Sequence, residues 1–433
     1  MSIGSFYQTW GFKDNIFSAR PLDGDEAGSN LLVGRDDELR SVLFRLKAGG
    51  AAVCLDGPVG VGKTSLANVA AYRGEQDYIA NHNNEPLLLP CRTSFQISNK
   101  ITPEEFKFQV ITEVAQTLLE KVKIFSRRGT LIDKAGVETW LNSPTTRQVE
   151  IQLAGFGGGG GVQPNESAGF QNNGFLRLVI GWLSAIFPDK TIGGVVCVID
   201  NLELLETSVI AKKTIENLRD TLFTVSGIRW VLCGAHGIIR GAVESPRLAG
   251  YLGEPIQIER LRLTEAQSVF NKRVNAFTDH TSDSQYLPLL QDDFHTLYML
   301  LGQNLRQTLA TADSYCTKVA ESANYPQGDE DKKKRFESWL KTNAKATLSG
   351  VKGLVGDTAL RLMTSAAAKK QGEFTPSDHK ELGFKSPNTL SPHIKSLESA
   401  GLVDSTRDET DQRRRTITLT GKGWLVDWAQ TIS

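Results

Sequence analysis

One stretch of the chain reads Gly57-Pro58-Val59-Gly60-Val61-Gly62-Lys63-Thr64 and matches the phosphate-binding pattern G-x-x-x-x-G-K-[ST] in full. It follows a short apolar run, residues 51–56, and precedes a run of helix-forming residues that begins with Ser65. This order of strand, glycine-rich loop and helix is the structural context that the pattern requires. The sequence therefore predicts a loop that binds the phosphates of a nucleotide.

The residue types in this loop are those that phosphate oxygens require. Glycines let backbone N–H groups point into the loop, and the positive end of the following helix favours negative charge. Lys63 is expected to reach the β- and γ-phosphates of ATP, and the hydroxyl of Thr64 is expected to hold Mg²⁺. ATP and Mg²⁺ are therefore the predicted cofactors. The predicted nucleotide-binding residues in this stretch are Gly57, Gly60, Val61, Gly62, Lys63, Thr64 and Ser65.

The bulk composition is that of an ordinary globular protein. The chain has 433 residues, with 40% apolar and 23% charged residues, and is long enough for about two or three domains. Its formal net charge is zero, so only a local basic patch could attract DNA. The chain opens without a signal peptide pattern, and its longest apolar stretch, residues 175–187, is too short to span a bilayer. The five cysteines include no C-x-x-C pair and fit a reducing compartment, so we expect a cytoplasmic protein without a membrane partner.

Apolar runs alternate with helical segments over the first part of the chain. Runs typical of strands lie at 51–56, 86–91, 195–199 and 229–234. Helical segments lie at 64–73, 103–123, 174–187 and 206–224. Such alternation favours a parallel sheet with helices on both faces, and runs that are apolar throughout are typical of its central strands. We therefore predict an α/β fold with a P-loop core.

Beyond residue 255 the pattern becomes helical, which predicts an all-α lid on the core. The helical segments lie at 264–278, 285–301 and 304–321. Turn-forming and charged residues at 323–334 indicate a linker before a smaller unit. The predicted organisation is an N-terminal extension at 1–30, a P-loop ATPase core at 31–254, a helical lid at 255–325, a linker or helix at 326–349 and a winged helix-turn-helix at 350–433.

A phosphate loop needs an acidic partner on a neighbouring strand. The apolar run 195–199 ends in Asp200, which Asn201 and Glu203 follow closely. We expect Asp200 to bind Mg²⁺ through water, together with Thr64. Glu203 is the first candidate for the residue that orients the attacking water, and Asn201 is the second. A surface turn rich in acidic residues is the alternative interpretation.

Three polar residues follow the strand predicted at 229–234. His236 could sense the γ-phosphate, although a loop histidine often has no such role. Arg240 and Arg247 lie between this strand and the lid, and either could act as an arginine finger on a neighbouring subunit. We choose Arg247 as the catalytic candidate, a role that requires a homo-oligomer such as a ring or a filament.

A glycine run at 157–161 interrupts the alternating pattern. We interpret it as part of a flexible insertion, because no lysine follows it. A second phosphate site is the alternative.

Three further stretches resemble the AAA+ and STAND ATPases, most closely the origin-recognition-type and related bacterial switch ATPases. Residues 32–39 resemble their V-G-R-x-x-E-L box, whose Gly-Arg segment lies against the nucleotide base, and this implies the same place for Gly34 and Arg35. Residues 256–266 resemble the entry to their lid. Gly302-Gln303-Asn304-Leu305-Arg306 is similar to the lid motif whose arginine, here Arg306, senses the γ-phosphate.

The chain departs from this family at its acidic motif. Residues 200–203 read Asp-Asn-Leu-Glu, where fast AAA+ motors have an Asp-Glu pair. The resemblance therefore implies a slowly hydrolysing switch rather than a rapid motor. The chain also lacks an evident threading-pore motif, which counts against a protein unfoldase.

Residues 350–428 follow the order of a winged helix-turn-helix. Thr375 and Pro376 predict the start of a short helix that runs to Leu382. Ser386-Pro387 then starts the predicted recognition helix, residues 388–400. A hairpin follows it. The recognition-helix positions that could meet base edges or phosphates include Asn388, Thr389, His393 and Lys395.

The stretch 411–423 resembles the wing of MarR-type DNA-binding domains. In that family the wing arginine enters the minor groove, which implies this role for Arg413, with Arg414 and Arg415 beside it. Basic and acidic side chains nearly balance over residues 369–424, and winged helices also dock proteins. Double-stranded DNA is the predicted partner of this unit, and a protein is the alternative.

These features together predict an ATP-dependent switch that binds DNA through its C-terminal unit. The alternative is a signalling or defence scaffold that oligomerises with ATP and docks a protein through the same unit. A phosphotransferase is a third hypothesis, against which the helical lid and the winged helix count. Settings consistent with the first hypothesis are replication initiation, transposition targeting, transcriptional control and anti-phage defence.

Overall fold

The structure is a computed structural model of the chain. It describes residues 5–81, 84–98, 100–125, 172–205, 208–235, 237–282, 284–322, 324–407 and 415–432. The predictions for the glycine run at 157–161, for His236 and for Arg413 and Arg414 lie outside these residues.

The strands form two sheets, one in each half of the chain. Those of the larger sheet are Val53–Asp56 (β1), Leu87–Pro90 (β2), Phe95–Gln96 (β3), Gly193–Asp200 (β4), Ile228–Gly234 (β5) and Ile256–Gln257 (β6). Those of the smaller sheet are Glu373–Phe374 (β7), Val403–Arg407 (β8) and Arg415–Leu419 (β9). The strands predicted near residues 53, 88, 197 and 231 are all confirmed.

The larger sheet is parallel, in the order β2-β4-β5-β1-β6, and β3 also pairs with β4. Val53 of β1 lies opposite Val231 of β5, and every residue of β4 and β5 is buried. Because parallel strands end at the same edge, the loop after β1 and the acidic residues after β4 come together there, with only β5 between them. The predicted α/β fold with a parallel sheet is confirmed.

Helices make up most of the remaining residues that the structure describes. Those before the lid are Phe6–Thr9 (α1), Glu26–Leu31 (α2), Asp36–Ala48 (α3), Lys63–Ala80 (α4), Pro103–Glu120 (α5), Val122–Phe125 (α6), Asn172–Ile186 (α7), Ser208–Leu218 (α8) and Ile238–Val243 (α9). Those from the lid onward are Leu263–Phe277 (α10), Gln291–Leu300 (α11), Leu305–Ser322 (α12), Gly328–Lys352 (α13), Asp357–Lys370 (α14), Pro387–Ser399 (α15) and Gly421–Thr431 (α16). Turns of 3₁₀ helix lie at Leu202–Leu205 and Pro376–His379, and a π-helical turn lies at Arg219–Phe223.

Both faces of the larger sheet are covered, as the alternation of side chains along β4 shows. Val196 and Val198 pack in one cluster with apolar residues of α3 and α4. Cys197 and Ile199 pack in another cluster with residues of α5, α7 and α8. Successive side chains of a strand point to opposite faces, so a strand that is apolar throughout requires helices on both sides.

The N-terminal segment, residues 5–25, is part of the core of the lid. Tyr7, Trp10 and Phe17 are buried in one cluster with the lid residues Phe270 and Phe294. The ring centroid of Phe17 lies 6.0 Å from that of Phe270 and 6.0 Å from that of Phe294. The segment therefore covers apolar side chains of α10 and α11 that would otherwise face water.

One helix of the lid begins later than predicted. The helix predicted at 285–301 begins only at Gln291. Pro288 interrupts the earlier part, because proline lacks the backbone N–H that a helix interior uses. The Asp293 carboxylate then accepts a hydrogen bond from the Leu290 N–H at 3.3 Å and fixes the helix start.

The linker predicted at 323–334 is wrong from Gly328 onward, where the long helix α13 begins. Three acidic residues, 329–331, lie in its first turn and favour the positive end of the helix. Glu330 and Lys334 form an ion pair at 2.7 Å, one helical turn apart. The charged run that indicated a linker is thus the exposed start of a helix.

The C-terminal unit has a small antiparallel sheet in the order β7-β9-β8. Its core contains Leu360 of α14, Leu390 and Ile394 of α15, and Ile417 of β9. The short helix predicted to run to Leu382 is only the 3₁₀ turn that ends at His379. The helix predicted at 388–400 is confirmed as α15, and its role in DNA recognition stays a prediction.

The last helix, α16, belongs to two cores at once. Val426 lies in the core of the C-terminal unit. Leu425 and Ala429 lie in the lid cluster that also contains Phe336 and Leu340 of α13. The lid and the C-terminal unit are therefore joined by packing as well as by the chain.

Candidate nucleotide-binding site

The phosphate loop runs from the end of β1 to the start of α4 and is shaped by two glycines in the left-handed region. Gly60 has a φ of 83° and Gly62 a φ of 99°, angles that strain a residue with a Cβ. Gly62 directly precedes α4, and no side chain caps this helix start. The first N–H groups of α4 are therefore left for phosphate oxygens, which the positive helix end also favours.

Lys63 and Thr64, the first two residues of α4, are buried. The Lys63 ammonium donates to the carbonyl oxygens of Gly57 at 2.8 Å and Pro58 at 3.0 Å, so its side chain folds back over the loop. The Thr64 hydroxyl donates to Oδ2 of Asp200 at 2.7 Å. This hydrogen bond joins the start of α4 to the end of β4.

The loop and the Thr64–Asp200 pair thus lie together at the carboxyl edge of the parallel sheet, where open α/β sheets bind their ligands. The fold is that of a P-loop nucleotide-binding protein. Hydroxyl and carboxylate oxygens are also the ligands that Mg²⁺ prefers, so the pair fits the predicted metal.

The Gly34–Arg35 segment connects this loop to the lid. Arg35 is buried, and its Nη2 donates to the carbonyl oxygens of Val61 at 3.2 Å and Glu259 at 2.5 Å. Gly34 has a φ of 64°, and a Cβ on it would lie 2.6 Å from Cδ of Glu265 in α10. Arg35 therefore binds the backbone of the phosphate loop and of the entry to the lid.

The lid reaches the phosphate loop through Asn304, a residue for which no separate role was predicted. The Asn304 side-chain amide donates to the Val59 carbonyl oxygen at 3.2 Å, and the Arg306 N–H donates to the Gly60 carbonyl oxygen at 3.4 Å. The Arg306 residue is exposed and lines the cleft beside the loop. Asn304 lies inside the lid motif quoted for Arg306, but nothing in that motif indicates its contact with Val59.

This cleft separates the phosphate loop from the lid, and its walls are mainly apolar. The Leu22 N–H donates to Oγ of Ser65 at 3.0 Å, and the Asn68 amide donates to the Leu22 carbonyl oxygen at 3.0 Å, so the N-terminal segment forms one wall. Sequence reasoning missed this wall, because no local pattern signals so distant a contact. The apolar lining includes Ala19, Leu22, Leu32, Val33, Leu261 and Leu305.

Glu203 lies in the 3₁₀ turn that follows β4. Its Oε2 accepts a hydrogen bond from the Ala235 N–H at 3.1 Å, at the end of β5. Asn201 has a φ of 55°, in the left-handed region, so the chain turns sharply between Asp200 and Glu203. The two acidic residues are thereby held at the ends of neighbouring strands, close to the phosphate loop on β1.

Both candidate arginine fingers have carboxylate partners within the chain. Nε of Arg240 lies 3.5 Å from Oδ2 of Asp56, and Nη1 of Arg247 lies 3.5 Å from Oε2 of Glu216. The two arginine side chains are 60% and 58% exposed, so water weakens both ion pairs. A role for Arg247 on a neighbouring subunit stays a prediction.

The four residues of α15 that are predicted to contact DNA differ in whether their side chains already make contacts within the chain. Asn388 and Lys395 are exposed. The Thr389 hydroxyl donates to the Ser386 carbonyl oxygen at 2.6 Å and so helps to cap the helix. His393 is half-buried, with its ring 5.6 Å from that of a neighbouring phenylalanine. Two of the four positions are therefore free for a ligand without breaking a contact.

Arg415, the last of the predicted wing arginines, begins β9. Its guanidinium forms an ion pair with Glu398 near the end of α15, and its side chain is 20% exposed. The pair holds the hairpin against the helix. It leaves Arg415 less available for a phosphate group than the predicted role requires.

In the described part of the chain, no helix combines the length and the apolar character needed to cross a membrane. The same residues contain no group of three or more His, Cys, Asp or Glu side chains placed to hold a metal ion. All five cysteines have free thiols.

No family model and no curated protein matches this chain. Among solved structures, it is similar to the ORC2 protein of Aeropyrum pernix in its ADPNP–ADP complexes, with 12% identity and a TM-score of 0.48 over 97% of this chain and 98% of that chain. It is also similar to a Walker-type ATPase of Pyrococcus abyssi, with 12% identity and a TM-score of 0.48 over 95% and 99% of the two chains. The ORC1 protein of Aeropyrum pernix in complex with DNA has 13% identity and a TM-score of 0.42 over 93% of each chain. The likeness concerns the fold alone.

Proposed function

We propose that the protein is an ATP-dependent switch that hydrolyses ATP slowly and couples its nucleotide state to a DNA-binding C-terminal unit. The observation that carries the ATPase part is the joint placement of buried Lys63 and the Thr64–Asp200 hydrogen bond at one end of an uncapped helix. Each of these groups suits one part of a metal-bound triphosphate. DNA binding rests on the sequence and on the exposed residues of α15.

The phosphate loop is arranged to exchange internal hydrogen bonds for bonds to phosphate. Lys63 would leave the carbonyl oxygens of Gly57 and Pro58 for the β- and γ-phosphates, while the first N–H groups of α4 bind the oxygens between them. Thr64 and Asp200 would hold Mg²⁺ through the hydroxyl and through water. The metal neutralises charge on the phosphates when it is bound.

Glu203 would orient the attacking water and accept its proton. To do so its carboxylate must turn from the Ala235 N–H, which it contacts at 3.1 Å, toward the γ-phosphate. A base that must first leave a backbone hydrogen bond suits slow turnover. The Asp-Asn-Leu-Glu order, which differs from that of fast motors, supports the same conclusion.

The C-terminal unit is the proposed output of the switch. Its order of helix, 3₁₀ turn, helix and hairpin supports a winged helix-turn-helix at about residues 350–433, with α15 as the recognition helix. We keep the proposed core at 31–254 and lid at 255–325, and assign residues 5–25 to the lid core. The exposed residues Asn388 and Lys395 would contact DNA, together with Arg413 and Arg414 of the wing.

One observation favours a second function for this unit. Arg415 pairs with Glu398, so part of the positive charge expected at the wing is used within the unit. A winged helix that docks a protein, in an ATP-dependent signalling or defence scaffold, would need less free positive charge. This remains the alternative function.

Measuring ATP turnover with and without double-stranded DNA across a salt series distinguishes the DNA-binding switch from the protein-docking scaffold. We expect DNA to stimulate turnover at low salt and the stimulation to fade as salt rises, because phosphate contacts release counterions. Replacing Arg413 and Arg414 by alanine should reduce the stimulation without changing basal turnover. Turnover indifferent to DNA, with no DNA binding at low salt, would favour the protein-docking scaffold.

A further inference from the structure

The C-terminal helix α16 touches the lid segment that holds the phosphate loop. Gly302, two residues before Asn304, has a φ of 64°. A Cβ on Gly302 would lie 2.4 Å from Nε1 and 2.5 Å from Cδ1 of Trp424. The edge of the indole therefore lies directly against the backbone of Gly302, in space that only glycine leaves free.

A second contact from the same helix turn reaches the other side of Asn304. A Cβ on Gly421 would lie 1.8 Å from Oε1 of Gln307. The Gln307 N–H in turn donates to Oδ1 of Asn304 at 3.1 Å. The first turn of α16 thus supports Asn304 from residues on both sides of it, and Asn304 binds the phosphate loop at Val59.

The benzene part of the same indole edge lies against the C-terminal unit. A Cβ on Gly372 would lie 2.4 Å from Cζ2 of Trp424. The Gly372 carbonyl oxygen accepts a hydrogen bond from the Leu419 N–H at 2.8 Å, which fixes it to β9. One side chain therefore separates the lid motif from the small sheet of the C-terminal unit.

The lid segment between these contacts has few other conformations available to it. Gln303 has a φ of 59°, a left-handed conformation that costs energy for a residue other than glycine. Such a conformation persists only where the surroundings enforce it. The hydrogen bond from the Gln303 N–H to the Tyr298 carbonyl oxygen at 2.8 Å holds it from within the lid. Trp424 against Gly302, and Asn304 against the phosphate loop, support the same segment from outside.

We propose that Trp424 is a positioning residue for the nucleotide site. It holds the segment Gly302–Asn304 so that the Asn304 amide keeps its hydrogen bond to the phosphate loop. It also transmits movement of that segment to the C-terminal unit. The inference rests on the proposed ATPase function and names the contact by which the C-terminal unit regulates that site. Loss of the Trp424 contact should weaken the binding of ATP more than that of ADP. The reason is that Arg306, the predicted sensor of the γ-phosphate, follows Asn304 at the same cleft.

The test compares variants of the full chain by their affinities for ATP and ADP, their turnover and their melting temperature. Trp424→Ala removes the indole, and Trp424→Phe keeps a ring against Gly302. Trp428→Ala is the matched control, because Trp428 lies one turn later on α16 and packs with the lid cluster instead. Gly302→Ala tests the same contact from its other side, since its Cβ would collide with the indole.

We expect Trp424→Ala to weaken ATP binding about tenfold, with less effect on ADP, and Trp424→Phe to restore most of the ATP preference. Gly302→Ala should weaken ATP binding at least as much, because its Cβ adds backbone strain at a φ of 64° to the collision with the indole. The double variant with Trp424→Ala should lose less than the sum of the two single losses, because both changes break one contact. Trp428→Ala should lower the melting temperature but keep the ratio of ATP to ADP affinity.

An unchanged ATP to ADP ratio in both Trp424→Ala and Gly302→Ala, beside a wild type that binds ATP, would overturn the inference and leave the ATPase proposal intact. An equal loss of ATP preference in Trp428→Ala would also overturn it, because general loosening of α16 would then explain the effect. A wild type that binds no ATP would overturn both proposals.

Discussion

Two buried cations lie at opposite edges of the same parallel sheet. Lys63 lies at the carboxyl edge and Arg229, the second residue of β5, lies near the amino edge. Within the described residues, neither has a carboxylate partner, and each donates to two backbone carbonyl oxygens. Those of Lys63 belong to its own loop, and those of Arg229 belong to Gly49, at 3.2 Å, and Lys190.

The helix ends beside the two cations explain why they have different roles. Gly49 ends α3, so Arg229 meets the negative end of a helix, whose carbonyl groups stabilise a cation. Lys63 opens α4 and adds its charge to a positive helix end. Burial lowers the pKa of Arg229, because its charged form is desolvated. A buried cation thus indicates an anionic ligand where the nearby helix end is also positive, and a structural contact where it is negative.

The largest expected effect comes from Lys63→Met. The change should lower ATP turnover by about 100-fold or more, because one preorganised cation of the phosphate site is lost. It should alter the free energy of unfolding by no more than about 1 kcal/mol, since removing a cation from beside a positive helix end offsets part of the lost hydrogen bonds. Steady-state turnover and urea unfolding measure the two effects.

Lys47→Met is a control for this change, because it removes a lysine of α3 that lies outside the predicted site and pairs with Asp77 at 2.7 Å and with Glu85 at 3.0 Å. It should lose only these ion pairs and keep normal turnover. Normal turnover in Lys63→Met would contradict the assignment of the loop.

Glu203→Gln tests the carboxylate at the same edge. We expect turnover to fall by about 100-fold while ATP still binds, because a general base is removed without loss of the phosphate contacts. The glutamine oxygen can still accept the Ala235 N–H, so the local structure should persist. Rapid-quench turnover and equilibrium ATP binding distinguish the two steps. Normal hydrolysis would move the role to Asn201 or another group.

Arg229→Met is the counterpart at the amino edge. It should destabilise the fold by about 3 kcal/mol, because two carbonyl oxygens lose the donor that satisfied them. ATP affinity and turnover should stay within about twofold of wild type at a temperature where the variant is folded. Urea unfolding measures the loss of stability, and steady-state kinetics measures the ATP turnover. A large loss of ATP affinity would break the proposed distinction between the two edges.

Local patterns were sufficient to predict the elements of the nucleotide site but not the contacts that complete it. The strand–loop–helix at residues 53–80 follows from neighbouring residues, and so it could be predicted. The contact of Asn304 with the phosphate loop joins residues 245 apart, and no spacing in the sequence signals it. The packing of Trp10 into the lid and of Trp424 against Gly302 was missed for the same reason. The linker prediction failed because the charges of α13 resemble those of a coil until its apolar face is paired.

A buried charge of the opposite sign extends the comparison to the lid. Asp293, near the start of α11, is buried and accepts one hydrogen bond from the Leu290 N–H. A helix start favours a carboxylate, yet burial raises the pKa of Asp293 to about 6. Desolvation therefore outweighs the helix dipole here, and the ionised carboxylate destabilises the fold.

The smallest expected effect follows from this raised pKa. The unfolded chain loses the Asp293 proton near pH 4 and the folded chain near pH 6, so wild-type stability falls as pH rises through that window. Asp293→Asn lacks this titration and still accepts the Leu290 N–H. It should be about as stable as wild type near pH 4 and roughly 1 to 2 kcal/mol more stable at pH 8. Urea unfolding of both proteins from pH 4.5 to 8 measures the difference. A variant less stable than wild type at pH 8 would show that the charged hydrogen bond at the helix start outweighs burial.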